Sequence, residues 1–168
     1  MFMINYRILS ILFISAALVV SCKRESTIEK IDFTSKFKQL NLDSTSKDTL
    51  GIKVDFCQVI GDDWDSIYVI PPYAQPNFVD SIKADNLNDI SYELSGAETT
   101  EWAVHLVLIK NRKIVSYGLL SAGELDLTHL VDPDRTFFIL TKKQCDRFYA
   151  AFTKRYPSTW RVQKEKLN

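Results

Sequence analysis

The sequence predicts a mixed α+β domain: a mostly antiparallel sheet of about five strands with helices packed against it. Three observations carry this. Apolar residues alternate with period two in several short runs, among them KIVSYGLLS at Lys113–Ser121. A capping pattern at Thr141 and Gln144 opens an apolar stripe with helical spacing. Gly and Pro are sparse at five each while aromatics reach 12%, so a sizeable core can form.

The elements follow in order. Thr27–Leu40 reads as a helix, with Ser26 and Glu29 as its capping box. The polar stretch NLDSTSKD, Asn41–Asp48, separates it from the rest, so residues 28–50 are expected to be loosely attached. Gly51–Ile60 reads as a strand, with Ile52, Val54 and Phe56 on one face and Lys53, Asp55 and Cys57 on the other. Gly61-Asp62-Asp63 is turn chemistry. Trp64–Ile70 resumes as a strand that is apolar on both faces, which predicts a central strand covered on both sides. Pro71-Pro72 ends it, since proline supplies no amide hydrogen.

Asn77 and Asp80 resemble an N-cap pair before a short helix bearing Phe78 and Ile82. Residues 85–100 carry no clear period. Glu101–Lys110 and Lys113–Ser121 form a hairpin across Asn111-Arg112. Arg135–Leu140 is a further strand after Asp132-Pro133-Asp134. The last helix would place Cys145, Phe148, Tyr149 and Phe152 on one stripe, with Lys142, Lys143, Arg147 and Lys154 opposite and Pro157 as its stop.

Ahead of this domain stands MFMINYRILSILFISAALVVSC. One cation, Arg7, precedes an apolar run from Ile8 to Val20, the layout of a secretory signal peptide. The run is shorter than the roughly 20 apolar residues of a spanning helix. Val19-Val20-Ser21-Cys22 resembles the lipobox of bacterial lipoproteins. The resemblance implies cleavage of residues 1–21, lipidation of Cys22 and a tether over residues 22–27. Two or more acyl chains, at about 0.8 kcal/mol per buried methylene, hold a membrane essentially permanently. Lys23 stands where an aspartate would resemble an inner-membrane retention signal. The bacterial cell envelope, with the outer membrane favoured, is the expected location.

Removing residues 1–21 takes away Arg7 and no acid, leaving 20 cations against 21 anions. Such a near-neutral domain lacks the basic footprint of a nucleic-acid binder. The 147 residues from Cys22 onward suit a short tether and one domain, 28–168.

Candidate chemistry is thin. With Cys22 lipidated, Cys57 and Cys145 are the remaining cysteines of an exported chain; they could form a disulfide or pack as free thiols. His105 and His129 lack the spacing of a local metal-ligand pair, so no metal or cofactor is expected. His105 alternates with Ala103 and Val107 and reads as a hydrogen-bonded or partly exposed strand residue. Asp62, Asp63 and Asp65 lack the register of a calcium loop. Neither Ser95 nor Ser121 sits in a nucleophile elbow, and no catalytic residue is nominated.

WDSIYVIPPYA is the most distinctive stretch, and it resembles a pattern in small exported bacterial proteins, many of them lipoproteins. Trp64, Asp65, Pro72 and Tyr73 are its candidate binding surface. Tyr73 follows a rigid Pro-Pro step and would serve either as a preset recognition ring or, the favoured reading, as a lid over the end of the core. The expected function is a lipid-anchored binding or assembly module with an envelope protein as partner. The alternative is a small envelope hydrolase.

Overall fold

The computed structural model describes residues 28–40, 42, 51–132, 134–153 and 159–164. Two sheets make up the domain. The larger has five strands in the order β1 (Glu29–Asp32), β5 (Lys113–Ser121), β4 (Ala103–Lys110), β3 (Ser66–Ile70) and β6 (Phe138–Thr141). β1 runs parallel to β5, and every other pairing is antiparallel. The smaller sheet pairs β2 (Ile52–Val54), β7 (Phe148–Thr153) and β8 (Thr159–Lys164), all antiparallel. Helices α1 (Phe33–Lys38), α2 (Phe56–Ile60) and α3 (Ser91–Ser95) are short. This is the α+β architecture expected.

The five-stranded sheet is buried on both faces. Ile67 and Val69 of β3, with Val104, Leu106 and Leu108 of β4, share one core with α1, α2 and the small sheet. Tyr68 and Ile70, with Val107 and Ile109, share the other with Phe78, Ile82, Ile90 and Leu94 from the segment after β3. The double-sided apolar pattern of β3 thus reflects its central place. A bulge at Leu108/Ile109 lets Ser116 oppose Leu108 while Ile114 opposes Ile109.

Several expectations are corrected. The N-terminal segment is integral to the domain: Glu29 opens a strand rather than closing a capping box, and Phe33 and Phe37 of α1 are fully buried. Asp32 caps α1, and hydrogen bonds from the Ser35 hydroxyl and amide hold its carboxyl below the ordinary range. β1 approaches β5 so closely at Gly118 that a Cβ there would collide with the Ile31 carbonyl, which is why glycine stands at this position. Ser26, Asn41 and residues 43–50 lie outside the described residues.

Gly51–Ile60 is a three-residue strand followed by a helix. Asp55 accepts a hydrogen bond from the Gln58 amide at 3.1 Å, so the chain turns helical and Phe56 and Ile60, four apart, reach the same core. The short helix at Phe78 is one 3-10 turn, Phe78–Ser81; Asn77 adopts φ +64° and makes no side-chain cap. Thr141 and Gln144 do form a capping box, but it encloses a single 3-10 turn, Lys142–Gln144. The expected long helix beyond it is strand β7. Phe148 and Ala150 alternate inward there, and the small sheet supplies the ladder that overrides the helical spacing. Pro157 lies outside the described residues.

The β4–β5 hairpin turns through Asn111 and Arg112, with φ +48° and +63°, the left-handed pair of a type I′ turn. Arginine there is held from two sides. Asp65 accepts the Asn111 amide at 2.7 Å, and the Arg112 carbonyl accepts the Asp85 amide at 2.8 Å. Cys57 and Cys145 are joined as a disulfide with Cα atoms 5.5 Å apart. It ties α2 to the turn before β7, beside a hydrogen bond of 2.8 Å from the Phe56 amide to the Cys145 carbonyl.

Candidate functional site

The structure divides the four candidate binding residues between two ends of β3. At about 3.4 Å per residue this five-residue strand is about 17 Å long, so they form no single surface. Trp64 is 1% exposed and donates its indole N–H to the Gly61 carbonyl at 2.6 Å. It is core. Asp65 is exposed, but its carboxylate serves the hairpin turn. Asp63 pairs with Lys110 and the Asp62 carbonyl accepts from Lys142, so the acidic turn is spent on joining loops. Pro72 is half-buried.

Tyr73 stands at the opposite end and is 62% exposed, so it is no lid over the core. Its backbone is held at φ +53°, a left-handed conformation rarely taken by a tyrosine. Two hydrogen bonds of 3.2 Å impose it, from the Tyr73 amide to the Thr100 carbonyl and from the Ala74 amide to the Ala97 carbonyl. The rigid exit of Pro71-Pro72 therefore lands on the loop before β4. There the Glu101 carboxylate lies close to the Tyr73 hydroxyl and raises the phenol above its ordinary pKa. The next residue, Trp102, is also 62% exposed. Its backbone is fixed, because its carbonyl accepts the Ala122 amide at 2.9 Å.

Tyr73 and Trp102 form an exposed aromatic shelf joined through Glu101, which meets the Tyr73 hydroxyl and precedes Trp102 in the chain; the backbones of both aromatics are anchored. The same covering layer carries Tyr92, the most exposed large apolar residue among those described, on α3. From Ala84 to Ile109 the chain has five acids and no lysine or arginine. Sequence reasoning found Tyr73 and missed Glu101 and Trp102. Trp102 shares the parity of inward-facing Val104 and Leu106, so alternation alone places it inside. The strand begins only at Ala103, which frees the ring.

His105 lies behind the shelf. It is 7% exposed, with Nε2 3.4 Å from the Thr100 hydroxyl. Burial, helped by the positive charge of Lys30, lowers its pKa to about 4. Its folded pKa lies below the ordinary 6.5, so the neutral ring stabilises the fold fully above pH 6.5. That contribution is lost as the pH falls towards 4. The stability–pH slope over this window is expected to flatten in His105→Gln, as read by denaturant midpoints at pH 7, 5.5 and 4.5.

The other histidine belongs to a polar cluster. Asp126 is buried and faces His129 Nε2 at 3.6 Å and Arg161 Nε at 3.4 Å, while the Thr128 amide and hydroxyl donate to its other oxygen at 2.9 and 2.5 Å. The hydroxyl and the imidazole both address the carboxylate. A triad needs the imidazole between the other two groups, so this arrangement locks a turn and relays no proton to a nucleophile. Among the described residues, one grouping of acid and sulfur atoms is close enough for a metal ion, Asp55 with Cys57 and Cys145. Both sulfurs are committed to the disulfide, and Asp55 caps α2.

Comparison with protein-family models, with curated proteins and with solved structures finds no match.

Proposed function

We propose that the chain is a lipid-anchored protein of the bacterial cell envelope, the outer membrane favoured, whose domain works by binding an envelope protein through the aromatic shelf. The observation that carries the binding half is Tyr73, a 62% exposed ring held at φ +53° against Glu101, the chain neighbour of equally exposed Trp102. A strained backbone that presents an aromatic side chain to solvent costs stability and returns nothing to the core. Anchored rings lose little freedom on association, and tryptophan and tyrosine are enriched at interface centres. The anchoring half rests on the signal segment and Val19-Val20-Ser21-Cys22. A disulfide between the remaining cysteines suits an exported chain.

Lipidation has a direct test. Cys22→Ala is expected to abolish metabolic acyl labelling and to release the protein from the membrane fraction. Continued labelling would overturn the anchor.

A further inference from the structure

A concavity of about 400 Å³ lies at edge strand β6 and is lined from both sheets, by the turn at His129 and Leu130, the start of β6 with the residues before it, and the end of β8. The volume falls within the ~300–1,000 Å³ of small-molecule sites. Its floor is apolar, from Leu130, Phe137, Phe138 and Val162. The phenylalanine rings are already fixed, Phe137 against Tyr68 with centroids 4.9 Å apart and Phe138 against Phe148 at 6.3 Å. Three basic side chains stand around it, His129, Arg135 and Lys164, together with the amide of Gln163. One acid lines it, Asp132, which is already 3.5 Å from Arg135. His129 is in turn held by Asp126. A second concavity of about 370 Å³ shares Arg135 and both phenylalanines but includes Asp134, and is the poorer place for an anion.

We propose that the first concavity binds a small anion with an apolar body, its carboxylate or phosphate held by Arg135 and Lys164 and its body laid on Phe137 and Phe138. This site is separate from the aromatic shelf and stands whether or not the shelf binds a protein. The anion could be a free solute or the headgroup of an anionic lipid.

The test uses the full chain in phosphatidylcholine nanodiscs, titrated calorimetrically with 4-phenylbutyrate against its neutral isostere 4-phenylbutanamide, with empty nanodiscs subtracted. Saturable binding of the acid is expected, with the amide at least about tenfold weaker, the value of one charge-assisted hydrogen bond. Arg135→Gln/Lys164→Gln should weaken the acid by about tenfold or more and leave the melting temperature unchanged, since both side chains are exposed. Should the double variant melt early, Lys164→Gln alone replaces it. No binding, equal binding of acid and amide, or unchanged affinity in the variant would overturn the proposal. Doping the discs with phosphatidylglycerol separates the sources: competition assigns the anion to a lipid headgroup, and undiminished 4-phenylbutyrate binding assigns it to a free solute.

Discussion

Trp64→Ala is expected to destabilise the domain by about 3–5 kcal/mol, the range for deleting a buried large aromatic. The indole is 1% exposed in the core that also holds Ile67 and Leu108, and close packing there leaves a cavity when the ring is deleted. Its N–H also satisfies the Gly61 carbonyl at 2.6 Å, and that carbonyl belongs to the residue ending α2 at φ +98°. Losing the ring therefore removes packing and frees the loop between α2 and β3 together. In a domain of this size the loss should lower the melting temperature by roughly 10 °C or more. Trp64→Phe separates the two contributions: it keeps most of the apolar volume, loses the hydrogen bond, and should fall well short of the alanine variant. Denaturant midpoints of the three proteins check this. An alanine variant as stable as the parent would mean that Trp64 is not core.

Reducing the disulfide, or replacing both partners with alanine, is expected to cost about 2–5 kcal/mol. The bridged cysteines are 88 residues apart, a long loop, so the constraint on the unfolded chain is large. It joins α2 to the turn that leads into β7, next to the Phe56-to-Cys145 backbone bond, and so holds Phe56 of α2 against Phe148 of β7 in the shared core. Denaturation of the oxidised protein, the reduced protein and Cys57→Ala/Cys145→Ala should place the last two together, below the first. Coincidence of all three curves would mean that the cysteines are not bonded in solution.

What could be read from the chain, and what could not, follows physical lines. The central strand was legible because burial on both faces writes apolar residues at every position of Tyr68–Ile70. The hairpin was legible because Ala103–Lys110 and Lys113–Ser121 are long enough for their spacing to be read. The short elements were not. Asp55 with Gln58 is a helix-start signal of the kind recognised at Thr141 and Gln144, but it sat inside an alternating run, and the alternation outweighed it. At Cys145–Phe152 the error ran the other way. Cys145, Phe148 and Phe152 do pack on the core the helical stripe implied, through a turn and a strand, but strand alternation turns Tyr149 to the other face.

The candidate site was half legible for a related reason. Pro71-Pro72 announces that Tyr73 leaves the sheet on a fixed path, and the structure keeps it outside. Trp64 shares the same stretch, yet a sequence cannot show that the two rings end up on opposite ends of β3. Glu101 reaches Tyr73 through the pairing of the Tyr73 backbone with Thr100, a contact across 27 residues, and Trp102 follows Glu101 in the chain. Nothing in local spacing encodes it. The proposed anchor rests only on local order along the first 22 residues.

The most direct test of the binding role is photocrosslinking in intact cells from a phenylalanine-based probe at position 73 or 102, with exposed Lys53 and Thr141 as control positions. Melting curves of the purified Tyr73→Ala and Trp102→Ala proteins should first match the parent, because rings 62% exposed contribute little to the core. One discrete adduct shared by positions 73 and 102, and absent from 53 and 141, is the predicted result. No adduct at 73 and 102, or the same products from all four positions, would contradict the shelf as a recognition surface.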